Sequence, residues 1–130
     1  MTAFDRAWAL VKQMGININD SEAPYTEMIL DGDKTIETRR TNSLDPYVGE
    51  EVGIIRTGKG PATLVGFMDI GKPKQYSNSQ EFDRDRSKHR VPKDSKEDKE
   101  GKSVGYPLSD VERTKPKEIH SRGYIAREIG

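Results

Sequence analysis

Two apolar runs, EEVGIIR and ATLVGFMDIG, flank a TGKGP spacer between residues 50 and 71. Glycine and proline in the spacer are turn chemistry, and the Val, Ile and Phe of the runs favour extended backbone. The runs are therefore predicted to be two strands joined by a turn. In the second, alternation sends Thr63, Val65 and Phe67 to one face and Leu64 and Met68 to the other. Both faces are partly apolar, so neither side of the pair can be left to water. It must close into a small barrel or lie beneath helices.

The rest of the chain is polar. Of 130 residues, 32% are hydrophobic and 34% charged, which predicts one domain with part of its length outside the core. Residues 83–102, DRDRSKHRVPKDSKEDKEGK, hold 8 basic and 6 acidic side chains, and Val91 is their only large apolar one. This stretch is expected to be a mobile, charged surface loop with His89 facing solvent; the alternative is a flap that orders over a ligand.

Other elements follow from local signals. Phe4, Ala7, Trp8, Val11 and Met14 recur at helical spacing, which predicts a helix over 2–14 stopped by Gly15. EAPYTEMILDGDK reads as a short helix with Pro24 in its first turn and Gly32 at its end. KTIETRR reads as a strand, as does GYIAREI at 123–129. VGYPLSDVERTKP reads as a strand with a proline-interrupted edge. SNSQEFDRDR reads as a short helix capped by serine or asparagine. The sum is an α+β fold, a small mixed β-barrel flanked by helices.

Several function classes are disfavoured. The 22 basic and 22 acidic residues cancel, so bulk attraction to a polyanion is not supported and any such partner needs a local patch. No cysteine is present, which removes disulfides and thiolate metal sites and suits a reducing cytoplasm. No apolar run reaches the ~20 residues of a membrane span, and the first residues lack the order of a signal peptide. With two distant histidines, His89 and His120, no metal site or cofactor is argued.

The densest chemistry is GDKTIETRR, residues 32–40. A lysine after a glycine turn can reach into a cleft, and its compact ammonium suits a phosphate or a carbonyl. Glu37 and Arg39 lie two apart on a strand and share a face with Thr35, while Ile36 and Thr38 point to packing. Glu37 can accept from a base's exocyclic amine, and Arg39 can take a phosphate or stack on a base. The plainer alternative is that Glu37 and Arg39 only form an ion pair closing the barrel end, with Lys34 solvated. Arg40 reads as a solvated or structural residue. Arg56 can line the cleft. Lys59, between two glycines, allows close backbone approach to phosphate or is simply a hairpin turn. Tyr25 and Tyr106 can stack on bases or pack.

PYTEMILDGDKTIETRR resembles the signature of the ASCH family, a PUA-like fold: a proline-started helix, a glycine turn, and G-x-K-x-x-E-x-R. Here that string reads Gly32, Lys34, Glu37 and Arg39. YVGEEVGII, ATLVGFMDIG and VGYPLSDVERTKP resemble the segments that follow, so the likeness covers residues 22–128. It implies a small barrel with a cleft at the helix–strand turn, binding RNA or a modified nucleotide. It also implies two kinds of enzyme as alternatives, a ribonuclease or a hydrolase of the acetyl amide of N4-acetylcytidine. The second kind uses a lysine, a threonine three positions later and a distal glutamate. Lys34 fits the lysine, but Glu37 stands where the threonine would be, and Glu81 and Asp83 remain open as the distal carboxylate. The catalytic candidates are thus Lys34 and Glu37, and the ligand-binding candidates Lys34, Glu37, Arg39, Arg56, Lys59, Tyr25 and Tyr106. A protein-interaction adaptor acting through the N-terminal helix is a third reading.

Overall fold

The structure, a computed structural model, describes residues 13–101 and 104–130. Its strands are β1 (Met14–Asn19), β2 (Ile36–Arg39), β3 (Glu51–Thr57), β4 (Thr63–Ile70), β5 (Lys74–Gln75), β6 (Val104–Glu118) and β7 (Ala126–Glu128). Its α-helices are α1 (Tyr25–Leu30), α2 (Ser79–Arg84), α3 (Arg86–His89) and α4 (Lys96–Glu100), and a 3-10 turn covers Asp45–Tyr47. The strands form one mixed sheet in the order β2-β6-β4-β3-β1-β7, with β5 also on β6, curled into a half-barrel. β1 and β3 run parallel, and the other pairs are antiparallel.

Inside the curl, Ile16 and Ile18 of β1, Val52 and Ile54 of β3, Val65, Met68 and Ile70 of β4, and Val104, Tyr106 and Leu108 of β6 form the main core with Tyr25 and Ile29 of α1. On the outer face Ile55, Leu64, Ile119 and Ile129 make a second cluster, with Phe67 against it. This confirms that both faces of the central hairpin are covered. The predicted alternation along β4 fails, however. Val65 sits with Met68, and Leu64 with Phe67. Register shifts between Leu64 and Gly66, and between Phe67 and Asp69, insert the irregularity that resets the faces.

The region expected as a helix over 2–14 falls mostly outside the described residues. Its end does not, and Met14 and Gly15 open strand β1 instead. Gly15 is no helix stop. It faces Gly53 across the β1–β3 pair, and a Cβ on Gly15 would lie 2.6 Å from Ile55 Cδ1. The glycine pair makes room for the outer cluster.

The charged stretch also departs from expectation: residues 83–102, predicted as a loop, contain α3 and α4. His89, expected in solvent, is fully buried. Its ring stacks on Phe82 at 4.1 Å between centroids, and Tyr76, Phe82 and Val91 form a small core of their own. Asp85, buried alongside, accepts from Tyr76 at 2.7 Å and Lys74 at 3.0 Å. A few anchoring contacts order a segment that composition alone describes as solvated. Likewise β6 is an interior strand over its first half, paired with both β2 and β5, and not a proline-broken edge. Pro107 lies where pairing passes from β2 to β4, and its carbonyl accepts from Gly71 N at 2.8 Å.

Candidate functional site

Helix α1 ends at Leu30, and Gly32, with a φ of 82°, turns the chain back. Lys34 N then donates to Met28 O at 3.0 Å, fixing the lysine beneath the helix. The residue is only 2% exposed. Nζ donates to His89 O at 2.5 Å, lies 3.6 Å from Glu37 Oε1, and sits 4.8 Å from the centre of the Tyr25 ring. Burial lowers the lysine's pKa, opposed by the Glu37 charge and its hydrogen bond.

Glu37 bridges two cations. One oxygen faces Lys34, and the other accepts from Arg39, whose Nη2 is 2.9 Å away. Arg39 Nη2 also donates to Asn17 O at 2.9 Å, joining the end of β2 to β1. The shared face of Glu37 and Arg39 is as predicted. So is their ion pair, and it lines a cavity as well.

That cavity has a volume of about 500 Å³. Tyr25, Lys34, Glu37, Thr38 and Arg39 form one wall, and Asn17, Ile18 and Asn19 of β1 another. Val91, Lys96 and Glu97 close a third, and Tyr124, Ile125 and Arg127 stand at the C-terminal side. Arg127 is fixed by Nε donating to Asn17 Oδ1 at 3.0 Å and Nη1 donating to Ser121 O at 3.1 Å. Tyr124 is 98% exposed, the sole large hydrophobic side chain so exposed among the described residues. Two polar atoms at this cavity are buried without a hydrogen-bond partner among the described residues, Tyr25 Oη and Glu97 Oε2.

Neither a family model nor a curated protein matches the sequence. Solved structures match its fold. The fold is similar to the crystal structure of ASCH from Zymomonas mobilis, with a TM-score of 0.69 at 16% identity, covering 92% of this chain and 88% of that one. A serine-to-alanine variant of the same protein gives 0.70 at 17% identity, covering 92% and 89%. A tyrosine-to-phenylalanine variant gives 0.70 at 17%, covering 92% and 91%. This chain has the ASCH fold.

Within the ASCH fold, the residues singled out from sequence divide sharply. Tyr25, Lys34, Glu37 and Arg39 come together at the cavity. Arg56 does not line it, and its buried Nε has no hydrogen-bond partner among the described residues. Lys59 is exposed at the tip of the β3–β4 turn, where Gly58 and Gly60 take φ of 79° and 68°; it is a hairpin residue. Tyr106, offered as a stacking residue, is fully buried in the core. Its hydroxyl donates to Asp45 Oδ1 at 2.7 Å and accepts from Leu44 N at 3.2 Å. Burial and the Asp45 bond push its pKa up to about 12.

Neither Glu81 nor Asp83 lines this cavity. Glu81 accepts from Ser77 N at 2.8 Å. Asp83 pairs with Arg86 and lines a separate cleft beside Tyr76 and Phe82. The carboxylates in the cavity are Glu22, Glu37 and Glu97. Thr38, expected to face away, is also on the cavity wall, whereas Thr35 is not. Asn17, Asn19, Tyr124 and Arg127 were missed because nothing local marks them. Glu97 had one faint signal, Val91, whose isolated apolar side chain in a charged run anchors the segment beside it. Among the described residues no group of three or more His, Cys, Asp or Glu side chains is gathered as a metal site would require. None of their helices is long and apolar enough to cross a membrane.

Proposed function

We propose that this cavity binds a single nucleotide unit, as part of RNA or as a free modified nucleotide. The observation that carries this reading is the exposed ring of Tyr124 at the mouth of a polar cavity that also holds Arg39 and Arg127. An exposed aromatic is a stacking platform for a base or a neighbouring base. Guanidinium groups already oriented by hydrogen bonds are suited to phosphate oxygens. The volume fits one nucleotide and not a duplex, which agrees with recognition of single-stranded RNA by splayed-out bases. The balanced total charge is no obstacle, because the basic groups are local.

A second reading, metal-independent hydrolysis of RNA or of an acylated nucleoside, is favoured by Lys34. A desolvated amine with a depressed pKa, next to carboxylates, is equipped to pass a proton or to stabilise a developing negative charge.

One experiment addresses both. Labelled single-stranded RNA is titrated by fluorescence anisotropy over a salt series, and RNA and N4-acetylcytidine are each followed chromatographically for product. Binding that weakens with salt, with a shallower slope in Arg127→Ala, supports the binding site. Turnover lost in Lys34→Ala moves the protein into the enzyme class. Absence of any RNA or nucleotide binding overturns the proposal and raises the adaptor reading.

A further inference from the structure

Buried polar atoms are nearly always hydrogen-bonded, and each one left unpaired costs about 1–3 kcal/mol. Two such atoms at one cavity ask for a common explanation. Tyr25 Oη is on α1, and Glu97 Oε2 is on α4, 72 residues further along the chain. Both residues line the cavity. The phenol remains protonated, because burial first and then the Glu97 charge push its pKa well above the usual range. The residues lining the cavity thus include one O–H donor and one carboxylate acceptor, each without a hydrogen-bond partner among the described residues.

Glu97 is held where it is. Its neighbour Asp98 accepts from Arg86 at 3.1 Å and from Asp94 N at 2.8 Å. Arg86 in turn donates to Val91 O at 2.6 Å. The Ser95 hydroxyl caps α4 by accepting from Asp98 N at 3.2 Å. This framework fixes the helix that carries Glu97 beside Val91, so the unpaired oxygen is not a loosely tethered surface group.

Resting on the nucleotide-binding reading, we propose that Tyr25 and Glu97 read the hydrogen-bonding edge of the bound base. Glu97 Oε2 accepts from a ring or exocyclic N–H, and Tyr25 Oη donates to the adjacent ring nitrogen or carbonyl oxygen. A donor beside an acceptor is the pattern of every Watson–Crick edge, and carboxylates accept from amino groups of bases. Ile18 and Val91 on the walls, with the Tyr25 ring, suit a flat heterocycle better than a sugar. The site therefore selects against bases whose edge N–H is blocked, and Tyr25 and Glu97 are specificity-determining residues.

The test is calorimetric titration of the four ribonucleosides, each beside a partner methylated on its edge (N4,N4-dimethylcytidine, 3-methyluridine, N6,N6-dimethyladenosine, 1-methylguanosine). The wild-type protein is expected to bind at least one parent at least about tenfold more tightly than its methylated partner. Glu97→Ala should remove that preference by weakening the parent alone, and Tyr25→Phe should weaken the same parent by about tenfold. Glu97→Gln, with thermal melts of all variants, separates a lost contact from a lost fold. Equal binding of parent and methylated forms overturns the edge-reading assignment while leaving nucleotide binding intact. So does a Glu97→Ala loss of equal size for both forms. Failure of the wild-type protein to bind any nucleoside overturns the nucleotide reading itself and this inference with it.

Discussion

The side-chain nitrogen of Lys34 donates to the main-chain oxygen of His89 at 2.5 Å, across 55 residues of sequence. The contact ties the turn after α1 to the end of α3, and so ties the cavity wall to the charged segment that carries Val91 and Glu97. His89 is itself locked. Its Nδ1 accepts from Val91 N at 3.0 Å, so Nε2 carries the proton and donates to Phe82 O at 2.8 Å. The lysine that lines the site thus depends for its position on a histidine that never touches the cavity.

A pH dependence follows from that lock. Burial lowers the His89 pKa below its ordinary value, with Lys34 and Arg86 adding to the effect and the Phe82 and Asp85 contributions opposing it. Protonation would replace the Nδ1 acceptor by a second donor facing Val91 N–H. A base with a lowered folded pKa binds more protons when unfolded between the two values, so stability falls as pH falls through about 6.5, the unfolded value. The urea midpoint should drop between pH 7 and pH 5 in the wild-type protein and stay nearly flat in His89→Gln. Equal slopes for the two proteins would show that the ring does not act this way.

Glycines in the sheet give a test of packing. A Cβ on Gly66 would lie 2.4 Å from the backbone oxygen of Glu112, which cannot swing away. A Cβ on Gly53 would crowd the side-chain ends of Ile129 and Leu64, at 2.7 Å each, and would meet the Gly15 backbone only at an ordinary 3.4 Å. Overpacking costs about 1–3 kcal/mol. Gly66→Ala is expected at the top of that range or beyond, and Gly53→Ala nearer the bottom. Denaturant unfolding of the two variants checks the order, and the reverse ranking would contradict the register of β4 on β6.

Tyr124 allows binding to be separated from folding. Its ring contributes almost nothing to the core, so Tyr124→Ala should leave the melting temperature unchanged. Stacking is worth about 1–3 kcal/mol per base, so affinity for single-stranded RNA should fall by roughly fivefold to 150-fold. Unchanged affinity in a folded variant would remove the stacking platform from the proposed site.

Legibility in the sequence tracked how local each signal was. The lysine turn was readable because Gly32, Lys34, Glu37 and Arg39 lie within eight residues and act through one strand face. The central hairpin was readable because both its runs and its turn are contiguous. Strand β1 was not, since Met14 and Gly15 match a helix end as well as a strand start, and only the parallel pairing with β3 decides between them. The faces of β4 were misassigned because a register irregularity depends on the partner strand. Order in residues 83–101 was hidden because it rests on three buried side chains, Asp85, His89 and Val91, whose partners lie mostly outside that run. The far side of the cavity, Glu97 with Asn17, Tyr124 and Arg127, is assembled by topology alone.

Lys34 carries the most demanding prediction. Replacing it with methionine keeps much of the volume but leaves His89 O without this donor and Glu37 without one of its cations. The loss of stability should be about 1–3 kcal/mol, the cost of stranding a buried polar group. The pH dependence should change with it. The amine's pKa is lowered in the folded protein, so above that value the unfolded chain holds more protons, and this group makes stability rise with pH until about 10.4, where the unfolded lysine also titrates. The buried tyrosines Tyr25, Tyr76 and Tyr106 have raised values and act in the opposite sense near pH 10, but they are present in both proteins. Urea midpoints of the wild type and Lys34→Met, measured from pH 7 to pH 10, should therefore diverge, with the wild type gaining on the variant as pH rises. A constant gap across that range would mean that the buried amine keeps an ordinary proton affinity, and the electrostatic case for chemistry at this cavity would go with it.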